Sequence, residues 1–209
     1  NATFVTHAFD PEVHTSPKMF DRDWQRYGCD VVFIGNKSKK KERLLTQVIE
    51  GLPACTFKIW GSPVWRRAPP PLCDAYQGSA VWGQEYAKAI NGAKINLGVL
   101  YEGSPKAPAG DVITARTFEV PAAGGFMLHE RTHEAMRYFE DGKECAFFVD
   151  ADHLIGKIRY YLSHEDERKA IAAAGRARAL TSGYSYDDKV ATIIAKFYEL
   201  RGMQGEDKA

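Results

Sequence analysis

Short apolar runs alternate with segments whose apolar residues recur three and four positions apart, and this alternation organises nearly the whole chain. Residues 30–35 (DVVFIG) are β-rich and close on a glycine, the pattern of a buried strand. Leu44, Leu45, Val48, Ile49 and Leu52 then fall at helical spacing over 40–52. Further strands are predicted at 56–60, 93–100, 126–128 and 145–149. Helices are predicted at 84–90, 134–140 and from 150 onward, where Leu154, Ile155, Ile158 and Leu162 make one face. Acids crowd the first turn of the helix starting at His164, where they meet the positive end of its dipole. A last helix spans 186–200, with Gly202 just beyond it. Pro63, Pro69, Pro70 and Pro71 forbid a regular helix across 62–79, and Pro105, Pro108 and Gly110 mark another loop.

Strands alternating with helices imply βαβ units, and therefore an α/β, Rossmann-like parallel sheet flanked by helices. Ligands on such sheets bind beyond the carboxyl ends of the strands. Gly35, Gly61, the segment 101–111 and His129 all follow predicted strands, so they should gather on one edge. The turn-rich segment 1–18 reads as a linker, 19–185 as the sheet domain, and 186–209 as a terminal helix and tail. Because the chain opens on Asn1 rather than Met, a fragment, a processed product or an incomplete chain is expected.

Composition narrows the picture. A chain of 209 residues that is 44% hydrophobic can bury a real core. A formal net charge of +1 supplies no global field for nucleic acid, so none is expected as a partner. Cys29, Cys55, Cys73 and Cys145 form no C-x-x-C pair, and reduced thiols in a cytoplasmic protein are expected. No signal peptide is visible, and no apolar stretch approaches the length of a transmembrane segment.

Four constellations carry candidate chemistry. Gly35 and Asn36 follow the first strand, with Lys41 and Arg43 beyond. Glycine there lets backbone approach a ligand, and basic side chains pair with phosphate. For the basic run 37–43 the plain reading is a solvated helix start, and a phosphate contact is the sharper one. The run Asp111-Val-Ile-Thr-Ala-Arg-Thr-Phe-Glu119 sets two carboxylates eight positions apart, suited to hold two ends of one polyhydroxylated ligand. Glu119 is expected to open a short helix ending at Gly124-Gly125. Arg116 and Glu119 are alternatively a helix-surface ion pair. His129-Glu-Arg-Thr-His133 is a literal H-E-x-x-H; it binds zinc only when those residues lie within a helix and a third ligand exists. Trp60, Trp65, Tyr76 and Trp82 either stack on a base or sugar, or pack a core or lid.

Together these segments resemble the C-terminal half of GT-B glycosyltransferases of group 1, nearest the spore-maturation (CgeB-type) branch. The residues carrying the resemblance are DVVFIGN (30–36), AKINLGVL (93–100), RTFEVPAAGGFML (116–128), HEAMRYFEDGKECAFF (133–148), LIGKIRYYLSHEDERKAIAAAGRAR (154–178) and GYSYDDK (183–189). The resemblance implies a glycosyltransferase whose substrate is a nucleotide-diphosphate sugar. The resemblance further implies that no cofactor and no metal is needed, that transfer is to an unknown acceptor hydroxyl, and that configuration is retained. It gives Asp111 and Glu119 the roles of the family's two donor-binding acids, Glu119 on the ribose and Asp111 near the transferred sugar. Lys41 or Arg43 would neutralise the pyrophosphate, with Arg116 a further candidate. Gly35, Asn36, Trp60, Gly61 and Thr117 complete the expected nucleotide site. The resemblance also implies an acceptor-binding N-terminal GT-B domain as a partner, expected to lie outside this sequence. Competing readings are a non-catalytic nucleotide-sugar or carbohydrate module, a nucleotide-sugar epimerase, and a zinc hydrolase through His129 and His133.

Overall fold

The structure, a computed structural model, describes residues 4–103 and 110–201. Every predicted apolar run forms a strand: β1 Cys29–Ile34, β2 Phe57–Trp60, β3 Ala93–Gly98, β4 Met127–Glu130 and β5 Ala146–Phe148. The helices are α1 Asp21–Tyr27, α2 Lys39–Gly51, α3 Leu72–Ala75, α4 Gly83–Gly92, α5 Arg116–Ala122, α6 Ala151–Ser163, α7 Glu165–Thr181 and α8 Tyr186–Leu200. Hydrogen bonds join the strands, all parallel, in the order β2-β1-β3-β4-β5.

Both faces of this sheet are covered, which is why its strands read as continuous apolar runs rather than alternating ones. Val31, Phe33, Leu128, Ala146 and Phe148 point to one side, against Leu45 and Val48 of α2 and Leu154 and Ile158 of α6. Val32, Met127 and Phe147 point to the other, against Ile90 of α4 and Phe118 and Val120 of α5. Successive residues of one strand thus feed two cores.

The strand order matters for function. From β1 the chain first moves outward to β2, then returns to place β3 on the opposite side of β1. That reversal opens a crevice past the carboxyl ends of β1 and β3, the place where open α/β sheets take ligands.

Four departures from the sequence reading have physical causes. The helix predicted over 134–140 is only a 3₁₀ turn, Ala135–Arg137. Ala135 and Phe139 are buried at helical spacing, but side chains divert the chain: Asp141 accepts from Phe147 N–H, and Glu144 accepts from Glu140 N–H. The short helix at Glu119 begins three residues earlier, at Arg116. The proline-rich segment holds a 3₁₀ turn, Pro63–Arg67, and the single turn α3. Helix α1 was not predicted; its sequence DRDWQRY has little apolar periodicity, and Asp23 closes its first turn by accepting from Phe20 N–H. Pro105, Pro108 and Gly202 lie outside the described residues.

The chain start is irregular yet packed. Phe9 N–H donates to Tyr184 O and Tyr186 N–H donates to Phe9 O, fastening this segment beside the start of α8. Ser185 caps α8 by accepting from Asp188 N–H, while Asp188 accepts from Ser185 N–H. Beyond that cap α8 buries none of its residues; Val190, Ile193, Phe197 and Leu200 are each about half exposed.

Candidate active site

Two glycine turns floor the crevice. A Cβ on Gly61 would stand 2.2 Å from Gly35 O, so the turn after β2 can approach the turn after β1 only as glycine. Aromatic donors hold both turns: Trp65 Nε1–H donates to Gly35 O at 2.9 Å, and Tyr76 O–H donates to Gly61 O at 3.2 Å. Trp65, Tyr76 and Trp60 are buried, and Trp60 packs against Tyr27 rather than facing the crevice. Trp82, just before α4, is 80% exposed and lines it.

The crevice has two compartments. The first, about 510 Å³, is within the size range of small-molecule sites. Its walls include Gly35, Asn36, Gly61, Trp82, Tyr86, Arg116 and Glu119, with Asp10 and His14 from the chain start. The second, about 450 Å³, is lined by Lys41, Tyr101, Asp111 and Thr114 among others. Asn36, Ala115 and Arg116 border both, so Arg116 stands at the junction. Asp111 and Glu119 therefore face successive compartments of one crevice.

Glu119 is held in place. Tyr86 O–H donates to its Oε2 at 2.8 Å, and His14 Nε2 lies 3.6 Å from Oε1. Burial first, and then the Glu119 charge, push the Tyr86 phenol well above its ordinary range, so it remains a donor. Arg116 lies against Gly35, and its Nε is buried with no hydrogen-bond partner among the described residues. Lys41 is 5% exposed, its Nζ 5.9 Å from the ring centroids of both Phe33 and Tyr101. Burial and then the neighbouring Arg116 charge lower its pKa; Asp111 and Glu102 oppose this. Two cations that disfavour each other in a half-closed site make a place an anion would relieve.

Other expected residues fall elsewhere. Arg43 lines a separate cavity with Lys40, Gln47 and Glu130, away from both compartments. Thr117 is buried and structural: its Oγ1 accepts from Thr114 N–H at 3.0 Å and lies 3.0 Å from His129 Nε2. The amino end of α2 holds Glu102, which accepts from Ser38 O–H at 2.6 Å and from Lys40 N–H at 2.9 Å.

The H-E-x-x-H segment lacks the zinc-protease geometry. His129 and Glu130 belong to β4 and a turn follows, so the two histidines share no helical face. His133 is exposed, whereas His129 is buried, with Nδ1 2.6 Å from Glu130 O. Burial lowers the His129 pKa to about 4. Among the described residues no group of three or more His, Cys, Asp or Glu gathers to hold a metal ion.

His14, Asp10 and Tyr86 were missed by sequence reasoning. The chain start shows no periodicity, and Tyr86 reads as one more apolar position on α4.

Comparison with known proteins agrees with this architecture. Residues 38–195 match the family described as glycosyl transferase-like. A glycosyltransferase from Rickettsia africae superposes with a TM-score of 0.73 at 12% identity, covering 92% of this chain and 55% of that one. The Anabaena protein HepE, solved in complex with UDP and glucose, gives 0.68 at 12% identity over 92% and 55%. The C-terminal domain of a group 1 glycosyl transferase from Francisella tularensis gives 0.62 at 15% identity over 85% and 98%. The chain thus spans about half the length of the first two structures, and the fold is that of a GT-B C-terminal domain. No curated protein matches the sequence. No helix among the described residues is long and apolar enough to cross a membrane.

Proposed function

Because the chain belongs to the glycosyl transferase-like family, we propose that it is the donor-binding half of a GT-B enzyme. In this reading it transfers a sugar from a nucleotide sugar to an acceptor hydroxyl with retention of configuration, as a member of the spore-maturation (CgeB-type) branch. The observation that carries the reading is the order of groups along one crevice: Glu119 braced in the first compartment, Arg116 at the junction, Lys41 and Asp111 in the second.

That order matches the parts of a nucleotide sugar. Glu119 accepts from ribose hydroxyls. The departing diphosphate gains negative charge as the glycosidic bond breaks, and Arg116 and Lys41 stabilise that charge with little reorganisation. Asp111, beside Lys41, faces the sugar. The acceptor and the covering wall come from an N-terminal GT-B domain. Two observations support this: α8 has no buried residue, and the chain spans about half of full-length structures of the same fold.

Calorimetry with UDP and UDP-glucose tests the binding claim, and absence of any nucleoside diphosphate binding would end it. Transfer should appear only when the remainder of the protein is present; full turnover by the 209-residue chain alone would contradict the half-enzyme reading. Binding without transfer by the full-length protein would favour a non-catalytic module.

Lys41→Ala is expected to weaken UDP binding about tenfold through loss of a charged contact. Uridine binding should change little, because uridine has no diphosphate. Arg43→Ala should alter neither, since its side chain faces another cavity. Equal losses for UDP and uridine would remove Lys41 from the diphosphate.

A further inference from the structure

The chain start contributes more than a wall to the crevice. Asp10 accepts from His14 N–H through its backbone carbonyl, making a tight turn, and its side chain accepts from Glu12 N–H. Within that turn Asp10 N lies 2.8 Å from His14 Nδ1. Nδ1 also lies 3.1 Å from Asp10 O, so the turn holds the ring without choosing its tautomer; Nε2 faces the Glu119 carboxylate, an acceptor, and that contact favours a proton on Nε2. The Tyr86 ring meets the imidazole edge-on at 5.6 Å and 87°, which fixes its plane. Nε2 lies 3.6 Å from Glu119 Oε1.

That gap is too long for a direct hydrogen bond. It is also too short for an atom to sit between, but a hydroxyl beside the line joining them can accept from Nε2–H and donate to Oε1. Tyr86 occupies Oε2, which leaves Oε1 for the ligand. An isolated carboxylate reads only the proton of a hydroxyl; a donor and an acceptor together read its oxygen as well.

We infer that His14 is a specificity-determining residue of the donor site, its Nε2–H and Glu119 Oε1 jointly binding one hydroxyl of the nucleotide ribose. This rests on the donor-binding function proposed above. It adds that recognition of the ribose depends on the segment before the sheet domain, which Phe9 fastens to the start of α8.

The test compares UDP with 2′-deoxy-UDP and 3′-deoxy-UDP by calorimetry, on the unmodified chain, His14→Ala and His14→Gln. The unmodified chain should prefer UDP about tenfold over at least one deoxy analogue, the size of one lost charge-assisted contact. His14→Ala should bring that preference close to one while affecting the deoxy analogue little. His14→Gln, which keeps an N–H near the Nε2 position, should restore part of it. Equal weakening of all three nucleotides by His14→Ala, or an unchanged preference, overturns the assignment. Should the variants not fold, ¹⁵N shifts of His14 in the unmodified chain decide: Nε2–H in the neutral free ring, perturbed by UDP, supports it, and Nδ1–H or no response overturns it. If the unmodified chain binds no nucleoside diphosphate, the donor-binding function fails with it. If it binds UDP and His14→Ala keeps the preference, only the role of His14 fails.

Discussion

Glu119→Ala is expected to lower affinity for UDP roughly ten- to a hundredfold, the effect of losing a charge-assisted contact of about 1.5–3 kcal/mol. The geometry concentrates the loss at this residue. Its carboxylate faces the first compartment, braced by the Tyr86 hydroxyl and flanked by His14. Alanine also strands the buried Tyr86 hydroxyl, so some loss of stability should accompany the loss of binding. Tyr86→Phe together with Glu119→Ala separates the two effects: the double variant should recover stability without recovering affinity. Unchanged UDP affinity in Glu119→Ala would move the ribose contact to another residue.

Stability should fall by about 3 kcal/mol as pH drops from about 6.5 to about 4, through His129 alone. The unfolded imidazole takes up its proton near 6.5, whereas the buried folded one resists until about 4. Between those values the unfolded state binds more protons, so acid favours unfolding. The contribution is complete above 6.5 and levels off below 4. Burial keeps the folded ring neutral, and Thr117 Oγ1, which accepts from Thr114 N–H, can donate its own proton to Nε2; the Nδ1–H bond to Glu130 O works the other way and only partly offsets burial. A Cβ at position 98 would come within 2.5 Å of the ring, so glycine on β3 makes room for it. Urea unfolding at several pH values, with His129→Gln as the non-titrating control, measures the effect. A control curve with the same slope over that window would assign the acid sensitivity to other groups.

The contrast between these residues shows what a sequence can carry. Strands β1 to β5 were legible because burial on both faces leaves uninterrupted apolar runs ended by turn residues. Helix α8 was legible to its bounds, because its cap and its apolar spacing agree. The helix expected at 134–140 failed for a different reason: Ala135 and Phe139 have helical spacing, but side-chain hydrogen bonds from Asp141 and Glu144 redirect the backbone. Spacing alone does not report such competition. At the crevice, Asp111, Arg116 and Glu119 lie within one short run and their meeting place follows from the sheet edge. His14 and Tyr86 reach Glu119 from 105 and 33 positions away, and nothing local announces a contact of that range. The basic run 37–43 divides for a simple geometric cause. Lys41 and Arg43 are two positions apart on α2, so they point in different directions around its axis.

Glu102 gives the crevice one more property. Burial pushes its carboxyl up, but the Ser38 hydroxyl and the Lys40 amide more than offset that and hold it below the usual range. The helix that begins there is already neutralised by the protein's own anion. Positive potential for a bound phosphate must then come from the Arg116 and Lys41 side chains instead of the helix amides. Binding of charged donors should accordingly weaken as ionic strength rises, and the response to added salt should shrink when Lys41 is removed.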